Sequence, residues 1–157
     1  MSTPQAAPPV LTELKLTPAL KELVNGALER GRMLSVAYVS ADGRPELSFR
    51  GSVQAFSDTQ LAIWVRNPEG GIVQAVRGGR PHIALLYGEI RPDGGKAFVT
   101  FRGKGRIDNA EAVRRKVYES SPEVERNLDK DRRGVPLIVD LDSVDGLFQG
   151  AVLKMRR

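Results

Sequence analysis

Met33-Leu34-Ser35-Val36-Ala37-Tyr38-Val39-Ser40, followed at once by Ala41-Asp42-Gly43-Arg44, is the stretch on which the fold turns. It is short and β-prone, and it ends in an Asp-Gly signal whose glycine tolerates the positive φ of a tight hairpin. A second strand, Pro45 to about Ala55, is therefore expected to return antiparallel. Ser57-Asp58-Thr59 turns the chain again into Gln60 to Arg66, where Leu61, Ile63 and Val65 alternate with Ala62 and Trp64. The expected product is three strands in meander order.

Upstream, Thr17-Pro18 supplies an N-cap and a first-turn proline, and Leu20, Leu23, Val24, Ala27 and Leu28 recur at helical spacing before Gly31. That pattern predicts an amphipathic helix ending near Arg30. Residues 1–16 are expected to form a disordered or extended arm, because Met1 to Pro9 is rich in Ala, Pro and Ser and offers little to bury. Residues 17–157 then make one domain.

Downstream, Asn67-Pro68-Glu69-Gly70-Gly71 breaks the strand pattern, and Ile72 to Val76 is long enough only for a small helix closing at Gly78-Gly79. His82 to Gly88, a tight turn over Arg91 to Gly95, and Lys96 to Ile107 predict a hairpin. Asp108-Asn109 can cap a helix from Ala110 to Ser120, which Ser121-Pro122 breaks. The charged segment Pro122 to Gly134 is expected to be helical or irregular, with closing strands at Val135 to Leu141 and Gly146 to Lys154. About seven short strands with two or three helices argue for an α+β chain, mainly antiparallel β, in which a barrel is flanked by helices.

Composition narrows the chemistry. Among 157 residues there is no cysteine and one histidine, His82, which removes disulfides, thiolate metal sites and cysteine nucleophiles and disfavours zinc and Ser-His-Asp chemistry. No metal site is predicted. No stretch approaches the roughly 20 apolar residues that span a bilayer, and Met1 to Val10 has neither a basic start nor an apolar core, so the expected location is the cytoplasm. The net charge of +5 suits an anionic ligand. The basic clusters Arg114-Arg115-Lys116, Lys130 to Arg133 and Lys154 to Arg157 lack interleaved aromatics, which favours solvated charges over a nucleic-acid surface.

Taken in order, Ser40-Ala41-Asp42-Gly43-Arg44-Pro45, Arg50-Gly51-Ser52, the Asn67-Pro68 loop, a short helix, Arg80-Pro81-His82-Ile83-Ala84-Leu85, and Phe101-Arg102-Gly103-Lys104-Gly105 form a recognisable series. From Leu20 to Ile107 it resembles the pyridoxamine 5'-phosphate oxidase-like family of FMN-binding split β-barrels. The resemblance implies a split β-barrel with peripheral helices, an obligate homodimer, and flavin mononucleotide (FMN) in a cleft built by both chains.

On that resemblance, Arg50, Gly51, Ser52, Val53 and Gln54 match one cofactor-contacting strand, and Trp64, Val65 and Arg66 match the facing one. A phosphate needs guanidinium, hydroxyl or backbone N–H donors, and a flavin ring needs an apolar or aromatic wall. Arg50, Ser52, Arg66, Gly70 and Gly71 are accordingly expected near phosphate, with Val53, Gln54, Trp64 and Val65 near the ring. Where many relatives carry a phosphate-gripping lysine, this chain has Glu69-Gly70-Gly71, so the lost donors would be replaced either by backbone N–H groups of Gly70 and Gly71 at a helix start or by the charges of Arg66 and Arg50.

The implied activity is that of an FMN-dependent oxidoreductase acting on a small organic substrate. No catalytic residue is assigned, because the cofactor carries the electron chemistry. A deazaflavin-dependent reductase, a non-enzymatic flavin- or haem-binding protein and a cofactor-free barrel stand as alternatives. His82 is expected at the surface, Tyr87 in the core, and Arg102 at an exposed or interface position.

Overall fold

The computed structural model describes residues 10–157. It contains nine strands and four helices. Ahead of the first helix, β1 (Thr12–Glu13) pairs in parallel with β9 (Ala151–Arg156), and Leu14 and Leu16 are buried in the core. Within the arm expected ahead of residue 17, residues 10–16 thus contribute a short strand and two core leucines. Met1 to Pro9 lies outside the described residues.

Helix α1 (Pro18–Asn25) begins as the sequence suggests, with Leu20 N–H donating to Thr17 Oγ1 at 3.2 Å and Pro18 in the first turn. It stops five residues before Arg30, and the chain leaves through turns that still bury Ala27.

β2 (Leu34–Val39) and β3 (Pro45–Arg50) form the Asp-Gly hairpin, with Gly43 at φ 83°. The second strand does not run on to Ala55. It breaks after Arg50, and β4 (Gln54–Ser57) pairs with β5 (Gln60–Val65), not with β2 or β3. A simple three-strand meander is thus replaced by two separate hairpins. α2 (Gly71–Arg77) links them to β6 (His82–Ile90), which pairs with both β2 and β7 (Lys96–Ile107).

After α3 (Glu111–Ser120) and α4 (Glu123–Asn127), β8 (Val135–Phe148) runs through the centre of the sheet. Along one edge it pairs with β7. Along the other, its first half pairs with β5 and its second half with β9, so these two strands lie end to end on a single partner. This arrangement is the split in the barrel.

The expected pair of closing strands, Val135 to Leu141 and Gly146 to Lys154, is corrected here. A bulge opposite Arg102 and Gly103 carries β8 through Asp142, so that both Leu141 and Val144 point inward. The turn falls instead at Gln149-Gly150, where φ values of 51° and 76° give a two-residue hairpin. Gly146, which reads as a strand start, lies inside β8 at φ 146° with Phe98 carbonyl pressed against its α-carbon.

One core fills the barrel, with Val36, Leu61, Ile63, Val65, Leu85, Val99, Phe101, Leu137 and Val139 pointing inward. A smaller one, Ala62, Trp64, Val117, Tyr118 and Ile138, lies between α3 and the outer faces of β5 and β8. Alternation along β5 serves both cores at once. No helix among the described residues is long and apolar enough to cross a membrane.

Candidate functional site

Between β3 and β4 the chain crosses from one sheet segment to the other through Gly51-Ser52-Val53. Ser52 makes that crossing possible. β4 pairs with β5 no further than Ala62, which leaves the Trp64 backbone without a strand partner on that edge. The Ser52 hydroxyl takes its place, donating to Trp64 carbonyl at 2.9 Å and accepting from Trp64 N–H at 3.1 Å.

The result is a cleft of about 230 Å³. Arg50, Gly51, Ser52, Trp64 and Arg66 line it, Met33 and Phe49 form a second wall, and Glu125 reaches in from α4. Five of the residues expected at the cofactor site therefore share one cavity.

The other five lie elsewhere. Val53 and Val65 belong to the barrel core. The Gln54 amide is buried and spent on structure, donating to Val117 carbonyl at 3.0 Å and to Ser121 Oγ at 3.3 Å, which ties β4 to α3. Gly70 caps α2 without a side-chain bond and its N–H goes to Asn67 carbonyl at 2.9 Å. Gly71 opens α2 against the Tyr38 hydroxyl. A helix of seven residues beginning there does not line the cleft.

Arg50 dominates the electrostatics. Its Nε is buried with no hydrogen-bond partner in the protein. Burial pushes the guanidinium below its ordinary pKa and the nearby Arg66 charge pushes the same way, while Tyr38 and Glu125 act against them. A desolvated cation with an unanswered N–H, set beside a second cation, is stabilised by an anion.

The Trp64 indole makes three contacts. Its ring meets Tyr118 edge to face at 5.2 Å, carries the Arg114 guanidinium over it at 5.2 Å, and donates from Nε1 to Asp129 at 2.8 Å. Asp129 also accepts from Gly134 N–H at 2.9 Å and Arg133 N–H at 3.0 Å. Burial raises the Asp129 pKa, but these three hydrogen bonds and the Arg133 charge outweigh it and hold the carboxyl below its ordinary value. Arg114, expected as a solvated charge, in fact packs on Trp64 and donates to the carbonyls of Gly134 and Arg132 at 3.0 and 2.9 Å.

Met33, Phe49 and Glu125 were not among the expected residues. Phe49 was visible as the neighbour of Arg50, but Glu125 comes from a charged segment 75 positions further along, which carries no periodic signal.

A second depression, about 470 Å³, lies on the outer face of β2, β6 and β7 and is mainly apolar, with Ala37, Val39 and Ala84 in its wall. His82 and Arg102 sit at its edge and are exposed, and Tyr87 is fully buried.

The architecture is that of the pyridoxamine 5'-phosphate oxidase-like split barrels, with an arginine-lined cleft where two hairpins part. An FMN-binding protein from Syntrophomonas wolfei superposes with a TM-score of 0.60 at 6% identity, over 83% of this chain and 89% of that one. A general stress protein 26-related protein of the pyridoxinephosphate oxidase family from Clostridium acetobutylicum gives 0.59 at 13%, over 84% and 90%. HupZ of Group A Streptococcus gives 0.58 at 18%, over 87% and 98%. Neither a family model nor a curated protein matches the sequence.

Proposed function

We propose that the chain binds FMN in the Arg50 cleft, works as a homodimer, and acts as a flavin-dependent oxidoreductase on a small organic substrate. The observation that carries this reading is the buried, unpartnered Nε of Arg50 beside Arg66. An orphaned buried donor costs about 1–3 kcal/mol, and more in a charged group, which a phosphate oxygen would offset. The fold shared with the Syntrophomonas wolfei FMN-binding protein supports the choice of ligand.

Within this reading Arg50 and Arg66 hold the phosphate, and Gly51, lacking a side chain, leaves room for the Glu125 carboxyl group beside it. Met33, Phe49 and the edge of Trp64 exclude water from the ring. Bound flavin supplies hydride and electron transfer, so the chain needs no acid or base of its own.

A cleft of about 230 Å³ falls below the roughly 300–1,000 Å³ of sites that enclose a cofactor-sized ligand. One protomer thus supplies part of a site. The missing wall would come from a second copy docked on the outer face, where Leu47 is 72% and Phe49 67% exposed on edge strand β3, and Leu86 and Phe98 continue the apolar surface across β6 and β7. Phe49 belongs both to this face and to the cleft, so dimer contact and cofactor site are joined.

An absorbance spectrum of the purified protein, followed by FMN titration, tests the reading. About one flavin per chain, with affinity reduced at least tenfold in Arg50→Ala, is expected. No chromophore and no FMN binding at tens of micromolar would refute it. Binding of a deazaflavin alone would move the assignment to that cofactor, which also presents a phosphate and a tricyclic ring.

A further inference from the structure

Glu125 is the one acid among the residues lining the cleft. Its carboxyl group occupies the space beside the Gly51 α-carbon, where any β-carbon would collide with Oε1 and the carboxyl carbon. Its charge is felt by Arg50. Among the described residues it makes no ion pair with either arginine, so it leaves the Arg50 Nε unanswered while adding a negative field to the place where an anion would settle.

The position of Glu125 is held from both sides. Next to it, the Arg126 guanidinium donates back to the Ser121 carbonyl and, at 3.2 Å, to the Glu119 carbonyl, while the Tyr118 hydroxyl donates to the Arg126 carbonyl at 3.2 Å. After it, Asp129 is fastened to Trp64 Nε1 and to the backbone at Arg133 and Gly134. These bonds tie the five-residue helix and the residues after it to Tyr118 and Trp64 of the small core, with the Glu125 carboxylate beside Gly51.

We infer that Glu125 is a specificity-determining residue of this cleft, whose carboxylate lowers the affinity of Arg50 and Arg66 for phosphate dianions, that of FMN included, relative to singly charged phosphodiesters. The inference rests on the proposed phosphate site. Two guanidinium charges opposed by one carboxylate leave a net charge near +1, which balances a singly charged phosphodiester better than a phosphomonoester dianion. Bare Arg50 and Arg66 would favour the dianion. The segment Glu123 to Asn127, separate in sequence from the rest of the cleft, thus sets which phosphorylated ligands the barrel retains.

The test titrates FMN and riboflavin into the full chain by flavin fluorescence, and inorganic phosphate by the emission of Trp64, the only tryptophan. In Glu125→Gln, FMN and phosphate should bind about tenfold more tightly, a change of the size expected when one nearby charge is neutralised at the protein surface. Riboflavin, which has no phosphate, should stay within about twofold. Glu125→Ala should move in the same direction, and Glu123→Gln, on the same helix outside the cleft lining, should change none of the three.

Unchanged or weaker FMN and phosphate binding in folded Glu125→Gln and Glu125→Ala would overturn the inference. Tighter phosphate binding in a variant that binds no flavin would sustain it and refute the flavin assignment alone. If neither protein binds phosphate or FMN, both fall.

Discussion

Replacing Ser52 by alanine removes one oxygen atom and two hydrogen bonds, and the structure says what each was holding. The hydroxyl donates to Trp64 carbonyl at 2.9 Å and accepts from Trp64 N–H at 3.1 Å, at a position 2% exposed. On its other edge Trp64 lies opposite Pro136 of β8, and β4 has already ended its pairing at Ala62. No other backbone stands ready to take the two groups. A buried polar group left unpaired costs about 1–3 kcal/mol; two of them, with some relaxation, make about 2–3 kcal/mol.

For a chain of this size that corresponds to a fall in Tm of about 4–12 °C. Urea unfolding followed by Trp64 emission and by far-ultraviolet circular dichroism, at one fixed protomer concentration, measures the loss. The same variant separates two roles for the hydroxyl. Its only hydrogen is directed at Trp64 carbonyl, so it has none to give a phosphate, and FMN affinity should stay within about twofold while Arg50→Ala loses tenfold or more. A destabilisation under about 0.5 kcal/mol would refute the assignment of Ser52 as a surrogate strand. A tenfold loss of FMN affinity in folded Ser52→Ala would return it to the phosphate donors.

Gly103→Ala would drive a β-carbon into the Asp140 backbone carbonyl, which cannot swing aside; a loss of about 1–3 kcal/mol or outright misfolding is expected in urea titrations, and near-wild-type stability would contradict the close β7–β8 approach. Phe49→Glu places a charge on the apolar outer face, so size-exclusion chromatography with light scattering should find a dimer for the wild type and a monomer for the variant. Asp129 is held below its ordinary pKa, so the stability it contributes is complete above the unfolded carboxylate value of about 3.9 and disappears as pH falls through the lower folded value. Between pH 5 and pH 3 the urea midpoint of the wild type should therefore drop more steeply than that of Asp129→Asn, and parallel slopes would show that the Trp64 contact carries no such linkage.

The parts of the fold that were legible are those written in local patterns. Alternation along Gln60 to Val65, the Asp42-Gly43 turn, the Thr17-Pro18 cap and the run Lys96 to Ile107 each specify structure within a few residues, and each element appears where the pattern puts it. What was not legible depends on partners distant in sequence. The break after Arg50 is stabilised by a Ser52–Trp64 contact twelve residues long, and the continuity of β8 through Asp142 depends on a bulge whose counterpart lies in β7. Leu14 and Leu16 join the core on a segment held by the β1–β9 pairing and by Leu16 N–H donating to the Asp58 carbonyl at 2.7 Å, both partners distant in sequence. At the candidate site, Arg50 was recoverable as a charge within an alternating strand and Arg66 as a strand-end cation, whereas Gln54 and Val65 follow strand phase into the interior, where bonding to α3 claims the first and the barrel core the second.

The same division explains why the cleft holds a carboxylate that no strand pattern announced. A split barrel leaves a gap where β3 and β4 part, and filling it with apolar side chains would bury Arg50 beyond rescue. α3 covers the far side of β5 and β8 through Val117 and Tyr118 packed on Trp64, and leaves Arg50 and Arg66 bordering the cleft that Glu125 of α4 enters. The strand crossing and the cleft lining then meet at Trp64. Its backbone takes the Ser52 hydroxyl, its indole N–H anchors Asp129, and Asp129 fixes the segment that presents Glu125. Breaking the Asp129 anchor should therefore do more than lower stability: it frees Glu125 from Gly51. On this reasoning Asp129→Asn moves phosphate affinity in the same direction as Glu125→Gln and by less, because the charge is displaced and not removed.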